Sequence, residues 1–252
     1  MLANERQNRI CEMIQSQGAL TTASLVKLFS VSLETVRRDL LYLEQEGKLK
    51  RVHGGAVIKN DMKPFKALGE RNKEFSEQKR ELSVKATEFI SEGDIIAIDS
   101  GSTANIFADT LKERFSALTV VTHSVDVFEA LRNHKNFSVI LCGGFYLREE
   151  NAFCGELAIE MLSGLHIKKA FIFPSAISLE FGICDFQKEL YQIQKQLIRS
   201  SDEIFILADS SKFEKTGLLK INDMKTEYTY VTDSSIHGEI LNIYKENGIK
   251  IY

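Results

Sequence analysis

Only two prolines, no tryptophan and four cysteines occur in 252 residues. Cys11, Cys142, Cys154 and Cys184 show neither C-x-x-C nor Cys/His spacing, so neither a zinc site nor a disulfide framework is expected, and they read as buried thiols in a reducing compartment. No apolar run is long enough to cross a bilayer, and the first residues lack the basic-then-apolar pattern of a signal peptide. Internal repeats and low-complexity tracts are also missing. The expectation is a soluble cytoplasmic protein with no membrane contact, no metal and no cofactor.

Charge is nearly balanced, 32 Lys/Arg against 35 Asp/Glu, but unevenly placed. Through Asn60 there are nine Lys/Arg to six Asp/Glu, which leaves 23 to 29 beyond it. A basic head and an acidic body suit a chain whose first part alone meets nucleic acid.

The head carries the strongest pattern. From Val31 to Ala56, Ser32 stands at an N-cap position, Gly47 at a helix end, and Leu33, Val36, Leu40 and Leu43 recur on one helical face. Glu34, Arg38, Leu41, Tyr42 and Gln45 fall opposite, with Thr35 near them and Arg37 on the flank. The expected helix runs over 33–46. Upstream, 4–17 carries Ile10, Met13 and Ile14 at helical spacing. Thr21 or Thr22 then caps a short helix with Leu25, Leu28 and Phe29 inward, and Ser30 and Val31 make the turn. Downstream, 48–52 and 56–58 are β-prone runs around His53-Gly54-Gly55, whose glycines permit positive φ and close approach.

This order describes a winged helix-turn-helix. Its second helix would present Ser32, Leu33, Glu34, Thr35, Arg37, Arg38 and Tyr42 to double-stranded operator DNA. Thr21 and the wing residues Lys50, Arg51, His53, Gly54 and Gly55 would meet phosphates or the minor groove. The alternative, charges that merely solvate a helical subdomain, leaves the succession of cap, turn and basic hairpin unexplained.

Residues 59–76 are polar, contain Pro64 and lack periodicity, so they read as a linker between a 3–58 head and a 77–252 body. In the body, short apolar runs at 95–99, 118–122, 137–142, 170–174, 204–209, 228–232 and 249–252 alternate with helical segments near 104–114, 125–133, 153–164, 187–200 and 236–246. The expected class is α/β, with a Rossmann-like, mostly parallel sheet covered on both faces.

Ligands in such sheets sit beyond the carboxyl ends of the strands. There the sequence reads Asp99-Ser100-Gly101-Ser102-Thr103, Thr122-His123-Ser124, Gly143-Gly144, and Asp209-Ser210-Ser211-Lys212. The first opens a helix and offers amides and hydroxyls to an anion such as phosphate. Lys212 adds a point charge, and Asp99 and Asp209 could accept sugar hydroxyls. His123 is read as a hydrogen-bonding pocket or core residue rather than a titrating one.

Two runs carry a family resemblance. V-S-x-x-T-[IV]-R-R-D-L followed by G-x-L-x-R-x-H-G-G-A, matched by Val31 to Leu40 and Gly47 to Ala56, resembles the winged helix-turn-helix of the DeoR family of bacterial transcriptional regulators. The D-x-G-[ST]-T loop at Asp99 to Thr103, the T-x-S turn at Thr122 to Ser124, Gly143-Gly144, Gly155, and D-S-S-K-F at Asp209 to Phe213 resemble its sensor domain. The resemblance implies a body related in fold to ribose-5-phosphate isomerase that senses a phosphorylated sugar, usually leaving DNA when it binds. It also allows a dimer or larger homo-oligomer. The chain departs from the pattern at His123, where relatives commonly have asparagine, at Pro174 to Ser178 in place of a glycine-rich turn, and at Cys184 in place of threonine. The phosphate end is kept and the sugar end altered.

The expected function is a regulator, most simply a repressor of sugar or nucleoside-sugar catabolic genes. An isomerase- or hydrolase-like enzyme using Asp99, Asp209 and Lys212 is the rival. It leaves the head unexplained and has no second base fixed by a motif, so no catalytic residue is assigned. A constitutive architectural DNA-binder is the third reading.

Overall fold

The computed structural model describes residues 2–17, 19–52, 54–58 and 66–252. His53 and residues 59–65 of the expected linker, including Pro64, lie outside the described residues.

The head consists of α1 (Ala3–Gln17), β1 (Ala19–Thr21), α2 (Thr22–Phe29), α3 (Leu33–Gln45), β2 (Leu49–Val52) and β3 (Gly55–Ile58). Caps set the helix starts. Thr21 Oγ1 accepts from the Ser24 amide at 3.1 Å, and Ser32 Oγ from the Thr35 amide at 3.2 Å. Ser30, in the left-handed region at φ 51°, turns the chain between α2 and α3. Ile10, Ile14, Leu25, Val36, Leu40 and Leu43 form the head core as their spacing implies. Leu28 and Leu33 do not join it, being 47% and 43% exposed. A helical wheel gives the direction of a side chain but not whether a neighbour waits there. β1, absent from the sequence reading, pairs with β3 to make a three-stranded sheet.

Where the sequence suggested a linker, the described part folds. A short helix α4 (Leu68–Arg71) precedes α5 (Ser76–Ala86). The body then alternates β4 (Ile95–Ile98), α6 (Ser102–Arg114), β5 (Leu118–Thr122), α7 (Val125–Leu131) and β6 (Phe137–Leu141). The hairpin β7 (Phe145–Leu147) and β8 (Ala152–Cys154) leads to α8 (Glu156–Ser163) and β9 (Ile167–Ile172). After β10 (Ala176–Ser178) and β11 (Gly182–Asp185) come α9 (Lys188–Arg199), β12 (Ser201–Leu207), β13 (Leu219–Asn222), β14 (Thr229–Val231) and α10 (Gly238–Glu246).

The main sheet has the order β14-β12-β9-β4-β5-β6, and every pairing in it is parallel. Its strands read as continuous apolar runs because both faces are buried. Ile96, Ile98, Val120, Phe171 and Phe205 pack on the side of α5, α6 and α7. Ala97, Val121, Ala170, Ile172, Ile204 and Ile206 pack on the side of α8, α9 and α10. The seventh run, 249–252, shrinks to a bridge between Ile251 and Tyr230.

The β7–β8 hairpin and a small antiparallel sheet, β10-β11-β13, continue from the carboxyl ends of β6, β9 and β12 and wall that edge. At the opposite edge Asp94 receives Lys168 at 2.7 Å and Lys169 at 2.6 Å. Burial opposes ionisation of Asp94, but the two ammonium groups prevail and hold it at about 2.

The head rests on the last helix. The Thr21 amide donates to Glu239 Oε2 at 2.8 Å, Lys50 pairs with Glu180, and Val57 joins the core on the α10 side of the sheet.

Candidate DNA-binding and effector sites

On α3, Glu34, Arg37, Arg38 and Tyr42 are exposed, and Thr35 is half-buried. The helix is anchored from behind by Asp39, which the sequence reading did not single out. This buried carboxylate takes Arg6 through Nε at 2.6 Å and Nη2 at 3.2 Å, and Gln7 at 3.0 Å. Arg37 and Arg51 line one cleft of about 290 Å³ with Thr22 and Gly54, between α3 and the wing. Arginines from both elements therefore line the same cleft.

Four of the expected DNA contacts look different in place. The Thr21 amide is taken by Glu239, so a phosphate must displace a carboxylate to reach it. Gly55 is buried, and a Cβ there would strike the Leu20 carbonyl, so it is a packing glycine under β1. Lys50 is paired with Glu180, and Arg51 sits 3.4 Å from Glu44.

In the body, the parallel sheet brings the loops 99–103, 122–124 and 209–212 to one edge. Asp99 lies beneath that edge, fully buried. His123 Nε2 reaches its Oδ1 at 3.0 Å, while Gln194 Nε2 at 3.0 Å and the Phe173 amide at 3.3 Å reach Oδ2. The other ring nitrogen, His123 Nδ1, faces the Phe153 carbonyl at 2.8 Å and donates to it, since a carbonyl only accepts. His123 is thus a core hydrogen-bonding residue, and Asp99 a node that fixes the floor. Gln194 passes the network on to buried Asp185 at 2.9 Å. Thr122 Oγ1 donates to the Ile98 carbonyl and accepts the Ser124 amide, and Ser124 caps α7.

The start of α6, like that of α8 and unlike the Ser124-capped start of α7, has no side-chain cap. Gly101 occupies its N-cap with φ 116°, no side chain caps it, and Ser102 and Thr103 are buried. Backbone amides with a positive dipole end are left facing the edge. Ser100 Oγ, Asp209 Oδ2 and Gln194 Oε1 are buried nearby in the chain's topology without hydrogen-bond partners. Asp209 uses its other oxygen to hold the Ser211 amide at 3.1 Å. Lys212 is half-buried.

Gly143 is open, whereas Gly144 and Gly155 pack the hairpin. A Cβ on Gly144 would meet the Cys154 carbonyl, and one on Gly155 the Phe145 ring at 2.7 Å. The sequence reading missed Arg71, Lys79, Glu150, Asp185 and Gln194. Arg71 pairs with buried Glu150, and a Cβ on Gly101 would stand 3.6 Å from Arg71 Nη1. Lys79, also buried, donates to the carbonyls of Arg71 and Glu74, the latter at 2.7 Å. Desolvation lowers it to about 8, with Lys212 and Arg71 adding to the effect and Asp209 opposing it.

Among the described residues no cluster of His, Cys, Asp and Glu could hold a metal ion, and no helix is long and apolar enough to cross a membrane. All four cysteines are unpaired, and burial raises the Cys142 thiol to about 11, which makes it a poor nucleophile.

A recognition helix with exposed arginines, carried on an α/β body, is the arrangement of a DNA-binding transcriptional regulator. The chain belongs to the DeoR family. Residues 6–61 match the DeoR-like helix-turn-helix domain and residues 74–234 the DeoR C terminal sensor domain. The L-fucose operon activator of Haemophilus influenzae is 31% identical over 98% of this chain and 98% of its own. The HTH-type transcriptional repressor GlcR of Bacillus subtilis is 27% identical over 100% of this chain and 96% of its own. Among solved structures, ribose 5 phosphate isomerase A from Neisseria gonorrhoeae is similar over 56% of this chain and 54% of that one, with 20% identity and a TM-score of 0.41.

Proposed function

We propose that this regulator represses sugar-catabolic genes from a double-stranded operator and is released by a phosphorylated sugar bound at the carboxyl edge of the sheet. The observation that carries this reading is the uncapped, buried start of α6. A helix end left without partners inside a protein calls for an anion, and phosphate suits both the amides and the dipole. Lys212 supplies a further charge, and the partnerless Ser100 Oγ, Asp209 Oδ2 and Gln194 Oε1 supply hydroxyl-recognising atoms. The effector-contacting set is then Ser100 to Thr103, Asp209 and Lys212, over a floor of Asp99, Thr122, His123 and Ser124.

Release follows from linkage, since an effector that favours one arrangement weakens whatever binds the other. The protein acts in the cytoplasm as at least a dimer, because an inverted operator repeat needs two recognition helices and one weakly basic head holds few phosphates. Activation is the second reading, favoured by the name of the Haemophilus relative.

A gel shift with DNA upstream of its own operon, at low salt and with a panel of pentose and hexose phosphates, tests both halves. The expected result is a retarded band that one phosphorylated sugar abolishes, and that persists with the same sugar in Lys212→Ala. No band at low salt sinks the DNA reading. A band indifferent to every phosphorylated sugar leaves a constitutive architectural binder. A reporter fusion then gives the sign of regulation.

A further inference from the structure

We propose that the body carries a phosphate-mimicking surface, made by Glu180, Glu239 and Glu246, which takes the DNA-binding head in place of the operator and is tied through Phe213 to the effector loop. The inference deepens the reading above and rests on it for the two ligands, DNA and a phosphorylated sugar.

Each of these carboxylates meets a part of the head that the sequence assigns to DNA. Glu239 Oε2 accepts the Thr21 amide at 2.8 Å, Glu180 pairs with Lys50, and Glu246 Oε2 stands where a Cβ on Gly54 would be. The Gly54 carbonyl accepts the Thr22 amide at 2.8 Å and its hydroxyl at 3.0 Å, so the start of α2 and the wing form one surface. Glu239, Asn242 and Glu246 recur along one face of α10, while Ile240, Ile243 and Tyr244 are buried on the other. A cleft of about 610 Å³, lined by Thr22, Gly54, Asn242, Lys245 and Glu246, runs between α10 and the head. The joint is thus only partly filled, which suits a contact that must open. Helix-start amides and wing lysines are donors to DNA phosphates. Carboxylates that hold them lower the apparent DNA affinity by the fraction of heads they retain.

The residue after Lys212 connects this surface to the pocket. The Phe213 ring meets that of Tyr244 edge-on, with centroids 5.6 Å apart, and Tyr244 lies on α10 between Glu239 and Glu246. Phe213 also bridges to Ile177, whose carbonyl accepts the Lys215 amide at 3.2 Å. Ile177 belongs to β10, and the turn from β10 to β11 carries Glu180. An effector that fixes residues 209–212 fixes Phe213, and with it both arms that hold the head. Sugar and DNA then exclude each other without any contact between their sites.

The test is anisotropy of labelled DNA from upstream of its own operon, with full-length protein at low salt. The first variant is Glu239→Gln with Glu246→Gln. Its control is Asp109→Asn with Glu113→Gln, exposed positions of α6 on the opposite face of the sheet. Phe213→Leu is made alone and on top of the first variant, with Phe213→Met in its place if leucine prevents cooperative unfolding. The first variant should bind DNA about tenfold tighter than wild type or the control. The Phe213 variant should also bind more tightly and should add nothing to the first, because both act by freeing the head. Equal affinity of the two acid pairs overturns the mimic, and an additive or absent effect at Phe213 overturns the tie to the pocket. Hydrogen exchange over residues 19–25, read without DNA, should be faster in the first variant than in wild type, and equal exchange overturns the docking. If no protein binds the DNA while exchange does rise, the docking stands and the DNA reading falls.

Discussion

The backbone amide of Thr21 donates to Glu239 Oε2 at 2.8 Å, joining the N-cap of the first helix-turn-helix helix to the last helix of the body. Amides at this position are suited to a DNA phosphate, so a carboxylate holds the place that DNA must take. Glu246 on the same helix faces Gly54 of the wing. Glu239→Ala should therefore strengthen operator binding by about threefold to tenfold at low salt, the worth of one competing hydrogen bond near 1 kcal/mol. Fluorescence anisotropy with a labelled operator measures it, and unchanged or weaker affinity would count against competition.

Arg38 and Asp39 are neighbours with opposite duties. Arg38 is exposed, and Arg38→Ala should cost about 1–3 kcal/mol of operator binding with little change in melting temperature. Asp39 is buried against Arg6, and Asp39→Ala should cost about 3–5 kcal/mol of stability by leaving that guanidinium unpaired. Thermal unfolding beside anisotropy separates the two. Equal losses of stability would place Arg38 in the fold rather than on DNA.

Glu214, two residues beyond Lys212, adopts a left-handed φ of 55° and buries its carboxyl beside the Tyr244 hydroxyl of α10. Desolvation raises Glu214 to about 7, with the Tyr244 hydroxyl opposing it. Its folded pKa exceeds that of the unfolded chain, near 4.3. The native state therefore binds the extra proton between those values, and the contribution is present below about pH 4 and lost as pH rises through about 7. Glu214→Gln should remove a slope on the order of 3 kcal/mol from denaturant unfolding measured between pH 4 and 8. A variant with the wild-type slope would relocate the titrating group.

Gly101→Ala puts a side chain at φ 116°, where L residues are strained by roughly 1–3 kcal/mol, and sets its methyl against Arg71. Reduced melting temperature together with lost phosphate binding is expected. Retained phosphate binding would mean that the amides of α6 are not the anion's cradle.

Much of this was legible in the chain. Ser32 announced α3, the 3.6-residue spacing of Val36, Leu40 and Leu43 gave its inner face, and apolar runs such as Ile95 to Ile98 gave parallel strands buried on both sides. What escaped shares one cause. Arg71 and Lys79 sit in polar sequence around the expected linker, and only tertiary folding sets Arg71 beside Gly101 and buries Lys79. Asp39 appeared only within the matched run, and its burial depends on Arg6, thirty-three residues earlier on another helix. Strands of three or four residues, such as β1, β10 and β11, are too short to show a period. Asp99 and His123 were found by position, but their engagement with Gln194 and Phe153 depends on elements distant in the chain.

Because the strands of the main sheet run in one direction, its two rims have separate occupations. Asp94, Lys168 and Lys169 clamp the amino rim far from the loops at the other end. Evolution, or an engineer, can retune the durability of the body at the first rim while leaving the choice of metabolite to the second.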